Sequence, residues 1–167
     1  AGLKNALREN ELMLYFQPQC DATTGAVIGA EALLRWRREN NVWVPPNLIV
    51  EVAEQTGLIS QLTMWVINSA LRICAGFKKS GIDIIVSVNL SAANLLETEL
   101  PAFVDQALQT WGVPPRSLML EITESAMITD AKTSLEILHR LKALGVSLSI
   151  DDFGTGYSSM SYLKQMP

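Results

Sequence analysis

From residue 12 to residue 37 the apolar positions come in dense runs cut by turn formers, a spacing that favours strands. "LMLYFQPQC" (12–20) reads as a strand, "TTGAVIG" (23–29) as a turn with strand-like flanks, and "GAEALLRWR" (29–37) as a second apolar run. The pattern then changes period. "PPNLIVEVAEQTG" (45–57) opens on prolines, where a helix starts without losing a needed donor, and closes on a glycine, where one stops. A long amphipathic helix is predicted over 60–81. The β-branched run "DIIVSVNLS" (83–91) reads as a strand. A helix over 99–112, a strand over 117–125, a capped helix over 130–145 and a strand over 146–154 complete the alternation. Strands alternating with helices through short connections predict an α/β fold with a parallel sheet, open or closed into a barrel.

Composition agrees with that architecture. With 167 residues the chain suits one domain, 1–167, and is long enough to bury a sizeable core. Hydrophobic residues make up 49% and charged residues 18%, as expected where strands are covered on both faces. A net charge of -4 with scattered Lys and Arg leaves no basic stripe to neutralise phosphates, which argues against DNA or RNA as a partner. Cys20 and Cys74 lie far apart without Cys-x-x-Cys or His neighbours, so neither a zinc site nor a disulfide framework is indicated, and a cytoplasmic location is expected. No signal peptide is recognised, and no apolar run approaches the roughly 18 residues of a membrane-spanning helix. This segment is therefore expected to make no membrane contact, while a longer parent protein could be anchored through other segments.

The polar residues within the apolar runs carry the chemistry. Glu31 lies in "GAEALLRW", Asn89 in "VSVNLS", Glu121 in "LMLEITE", and Asp151 with Asp152 in "SLSIDD". In a parallel α/β architecture the carboxyl ends of the strands gather on one face, where sites form. Carboxylates drawn together there raise one another's pKa and destabilise the fold unless cations neutralise them. Oxygen-only ligation selects hard ions, Mg²⁺ or Mn²⁺ with Ca²⁺ as competitor, and adjacent aspartates suit a two-metal site. Blander readings stand beside this one. The Asp pair could form a solvated turn, Asn89 could cap a helix near Ser91, and Arg35 could be an ordinary ion-pair partner. His139 reads as a surface residue, while Met64, Trp65 and Ile67 read as core.

"EALLRW" (31–36), "NLS" (89–91), "EITES" (121–125) and "DDFGTGYSS" (151–159), flanked by "YFQPQ" (15–19) and "PPNLIVEVAEQTGLI" (45–59), resemble the successive motifs of the EAL domain, the bacterial cyclic di-GMP phosphodiesterase family. The resemblance implies a modified TIM (β/α)8 barrel that opens cyclic di-GMP to linear pGpG with Mg²⁺ or Mn²⁺. It further implies that Glu31, Asn89, Glu121 and Asp151 ligate one metal, and that Asp152 serves the second metal and the activation of water. Arg35 would hold a substrate phosphate, Gln17 and Leu34 would line the nucleotide pocket, and Glu124 would anchor the loop after Asp152. That loop, with Phe153, Gly154, Thr155 and Gly156, couples substrate binding and dimerisation to the metals in the family.

The family pattern continues past "SYLKQMP" with strands that bring a catalytic lysine, a further metal-ligating glutamate and a substrate-binding glutamine. The chain is therefore expected to hold about the first two thirds of the domain, with five core strands where a closed barrel has eight. Three function classes remain at this point: a metal-dependent cyclic di-GMP phosphodiesterase, a non-catalytic cyclic di-GMP receptor, and a regulatory or dimerisation fragment. Residues 1–167 alone are expected to hydrolyse poorly. Their open apolar edge is expected to recruit a second copy as a homodimer or edge-paired oligomer.

Overall fold

The computed structural model describes residues 2–123, 126, 130–151 and 166–167, with Asp151 given by its backbone. A short helix α1 (Leu3–Arg8) leads into strands β1 (Leu12–Cys20) and β2 (Val27–Arg38), followed by a three-residue strand β3 (Val42–Val44). Helices α2 (Pro46–Gln55) and α3 (Ile59–Lys79) precede β4 (Ile85–Leu90), α4 (Leu100–Trp111), β5 (Leu118–Thr123), α5 (Ala131–Leu144) and β6 (Ser147–Asp151). The strands form one sheet in the order β1-β2-β4-β5-β6, with β3 added to β2. Among the described residues β6 is paired on one side, to β5.

The sheet is mixed. β2, β4, β5 and β6 run parallel, as the alternation predicts, but β1 and β3 both pair with β2 in the antiparallel sense. The reason lies in the β1–β2 connection, which is too short for the crossover that parallel neighbours require. Asp21 closes it as a turn, its Oδ1 accepting the backbone N–H groups of Thr23 and Thr24 at 2.8 Å each. Asp21 is partly exposed, and the backbone donors of Thr24 and Thr23 hold its carboxyl below the ordinary range. A second difference is the continuity of β2, which runs unbroken through the boundary at Gly29 that the sequence pattern suggests.

Two apolar clusters flank the sheet. The larger lies between β4 and β5 and the helices α3, α4 and α5, with Ile67, Leu71, Val86, Leu120, Ile122 and Leu138 all buried. Each such side chain contributes about 1.5–3 kcal/mol relative to remaining in water. Cys74 belongs to this cluster and is a free thiol, whose pKa burial pushes up. The smaller cluster joins α1, α2 and the start of α3 to Leu12 and Trp36. Ile67 lies fully in the core, whereas Met64 and Trp65 are half-buried and His139 is exposed. α5 begins on Asp130, which accepts the Thr133 N–H at 3.2 Å, and ends on Gly145 with a left-handed φ of 99°. Among the described residues no helix is long and apolar enough to cross a membrane.

Candidate functional site

The alternation of each strand sorts its residues between two faces. On β5, Leu118, Leu120 and Ile122 are buried in the large cluster, leaving Met119, Glu121 and Thr123 on the opposite face, half-buried. On β4, Val86, Val88 and Leu90 face the same cluster and Ser87 and Asn89 the other side. Pairing then aligns the polar residues across strands. Gln17 stands opposite Glu31, Glu31 opposite Ser87, Asn89 opposite Glu121, and Thr123 opposite Asp151.

The contact that ties these rows together is side chain to side chain. Asn89 Nδ2 donates to Glu31 Oε1 at 3.0 Å, across the β2–β4 junction and 58 residues apart in sequence. Asn89 is therefore a strand residue whose amide meets a carboxylate, and the alternative that it caps a helix is replaced by a different cap. The turn after β4 (Ala92–Leu96) is capped by Ser91 and Asn94, with the Ser91 N–H donating to Asn94 Oδ1 at 3.0 Å.

Arg35 lies farther along β2, two turns of the pleat beyond Glu31. Its Nη1 donates to the Leu34 carbonyl at 2.9 Å and its guanidinium sits 5.6 Å from the centre of the Tyr15 ring. It forms no ion pair among the described residues, so the reading of Arg35 as an ordinary salt-bridge partner finds no partner there. Arg35, Leu34 and Asn89 line one cavity of about 400 Å³, whose other wall comes from α2 and α3 through Pro46, Val50, Ile59 and Leu62. Leu34 reaches it from the face of β2 opposite to Glu31 and packs against the smaller apolar cluster.

Among the described residues no group of three or more Asp, Glu, His or Cys side chains comes together as a metal cage. Asp152, Glu124, Phe153, Gly154, Thr155 and Gly156, and the Asp151 side chain, lie outside the described residues. The donors that are described fit a hard cation by type: Glu31, Asn89 and Glu121 offer only oxygen toward a metal, on adjacent strands.

A second polar network behind the site was not singled out from the sequence. Asn94 is buried, its Oδ1 accepts from Thr63 Oγ1 at 3.0 Å, and its Nδ2 donates to Glu97 Oε1 at 3.1 Å. Ser60 donates to the other oxygen of Glu97 at 2.8 Å. These bonds fasten the segment following Asn89 to α3. The S-x-x-N spacing of Ser91 and Asn94 is the signal that could have revealed it.

The model of the EAL domain matches residues 1–167, the whole chain. The chain belongs to the EAL domain family. This EAL chain is 43% identical over 166 residues to the bifunctional diguanylate cyclase/cyclic di-GMP phosphodiesterase MucR of Pseudomonas aeruginosa, covering 99% of itself and 24% of MucR. It is 40% identical over 166 residues to the cyclic di-GMP phosphodiesterase NbdA of the same organism, covering 99% of itself and 21% of NbdA. The solved structure of the PaMucR phosphodiesterase in its c-di-GMP complex aligns with a TM-score of 0.92 at 43% identity, over 99% of this chain and 67% of that one. The fold is thus the α/β fold of EAL domains, in part. The chain spans no more than about a quarter of the two curated relatives.

Proposed function

We propose that the domain to which this chain belongs, with residues 1–167 as one unit of it, hydrolyses cyclic di-GMP to linear pGpG with Mg²⁺ or Mn²⁺. The observation that carries this is the Asn89–Glu31 hydrogen bond at 3.0 Å, which sets an amide and a carboxylate together on neighbouring strands, with Glu121 in register with Asn89 on the next. Kinship with two cyclic di-GMP phosphodiesterases supports the choice of substrate.

In this reading Glu31, Asn89, Glu121 and Asp151 would hold one ion and Asp152 would serve a second. The ions would supply charge neutralisation and a more acidic water. Asn89 fixes the Glu31 carboxylate by donating to Oε1, leaving Oε2 without a hydrogen-bond donor among the described residues. Arg35 presents a planar guanidinium that matches a phosphodiester, and Gln17 and Leu34 border the nucleotide. Asp152 takes the proton of the attacking water. The water oxygen bonds to phosphorus, the bond from phosphorus to the 3′ oxygen breaks, that oxygen takes a proton from solvent to leave as the 3′-hydroxyl, and the 5′-phosphate of pGpG remains. Glu124 and the loop residues Phe153, Gly154, Thr155 and Gly156 link this centre to pairing with a second copy. The outer side of β6 is where further strands or that copy add.

The test is a product assay on the polypeptide carrying this domain. Incubation with cyclic di-GMP and Mn²⁺ is expected to yield pGpG, and Glu31→Gln is expected to slow it about 100-fold or more. Undiminished turnover by Glu31→Gln, or none by the parent protein, overturns the proposal.

A further inference from the structure

We infer that Tyr15 and Trp43 are positioning residues that hold the Arg35 guanidinium ready for the substrate phosphate. The inference rests on the reading of Arg35 as the phosphate-binding group. Strands β1 and β3 add to opposite sides of β2, since Trp36 pairs with both Leu12 and Val44. Arg35 precedes Trp36 in the strand between them. Tyr15, opposite Leu33 on β1, and Trp43, opposite Arg37 on β3, reach toward one another from the two flanks. Their rings meet edge to face, with centroids 6.0 Å apart and planes at 71°.

Each ring carries a guanidinium. Arg35 lies 5.6 Å from the Tyr15 centroid and Arg37 lies 6.0 Å from that of Trp43. The order Arg35, Tyr15, Trp43, Arg37 therefore forms a ladder of alternating cations and rings. Burial does not explain it, because Tyr15 is 50% exposed and Trp43 45%. A long arginine side chain otherwise spreads over many rotamers and must be ordered when an anion binds. The Tyr15 face and the Leu34 carbonyl confine Arg35 beforehand, and Trp43 in turn props Tyr15. A guanidinium lying on a ring keeps its in-plane N–H edge available to phosphate oxygens.

The experiment is a calorimetric titration with cyclic di-GMP in EDTA, where no hydrolysis intervenes, on the polypeptide carrying this domain. Tyr15→Leu is expected to weaken binding about 3- to 10-fold, and Tyr15→Phe, which keeps the ring, to stay within about twofold of the parent. Trp43→Leu is expected to weaken it in the same direction and supplies the readout if Tyr15→Leu does not fold. In an Arg35→Ala background Tyr15→Leu is expected to add no further loss, as coupled residues require. Parent-like binding by both Tyr15→Leu and Trp43→Leu, with Arg35→Ala weakened, overturns the positioning role alone. An undiminished effect of Tyr15→Leu in the Arg35→Ala background overturns it too, by assigning Tyr15 a contact of its own. Parent-like binding by Arg35→Ala overturns the phosphate contact beneath it.

Discussion

Asn89 illustrates how one side chain acquires its meaning from distant partners. Alone it is an amide near the end of an apolar run, as compatible with a helix cap as with a metal ligand. The helix-cap reading is set aside by Glu31, 58 residues earlier, whose Oε1 the Asn89 amide meets. The position of Asn89 depends in turn on Asn94. That buried amide satisfies Thr63, the Ser91 N–H and Glu97 together, so removing it strands several groups away from water. Asn94→Ala is expected to destabilise the protein by about 1–3 kcal/mol. At this chain length the corresponding fall in melting temperature is roughly 2–10 °C. Thermal and urea unfolding check this, and a change below about 0.5 kcal/mol would show that the network is replaceable.

Elements were legible where their signals are local. The strand predicted over 12–20 coincides with Leu12–Cys20, and the helix predicted over 130–145 with Ala131–Leu144, because an Asp cap and a terminal glycine bound it. What the pattern could not show is pairing. The antiparallel β1–β2 hairpin depends on the Asp21 turn, and a short apolar run reads alike in either direction. α1 and β3, of six and three residues, are too short to establish a period. The Tyr15–Trp43 contact across β2 follows from β3 and was hidden with it. Gly29 marks a close approach of two strands. A Cβ there would lie 2.8 Å from the Ile85 carbonyl oxygen of β4, a backbone atom that cannot rotate aside. Gly29→Ala is therefore expected to push β4 from β2, at a cost of about 1–3 kcal/mol. Because Glu31 is only two residues on, the variant is also expected to respond less to Mn²⁺ on melting. An unchanged urea midpoint would contradict the close approach.

For the molecule as a whole, pairing brings some of the polar residues in the apolar strands into contact or register, as far as they are described. Glu31 and Asn89 touch, Glu121 stands in register with Asn89, and Asp151 ends the next strand. A register that draws these carboxylates together would concentrate negative charge, which a cation would offset. Such a cation binds the folded state and stabilises it by mass action. The most direct test is the melting temperature of the protein with and without millimolar Mn²⁺, compared with Glu121→Gln. The parent is expected to melt higher with Mn²⁺, and Glu121→Gln to lose most of that rise. A melting curve that Mn²⁺ leaves in place, or raises equally in Glu121→Gln, would contradict a metal centre built on Glu31, Asn89 and Glu121.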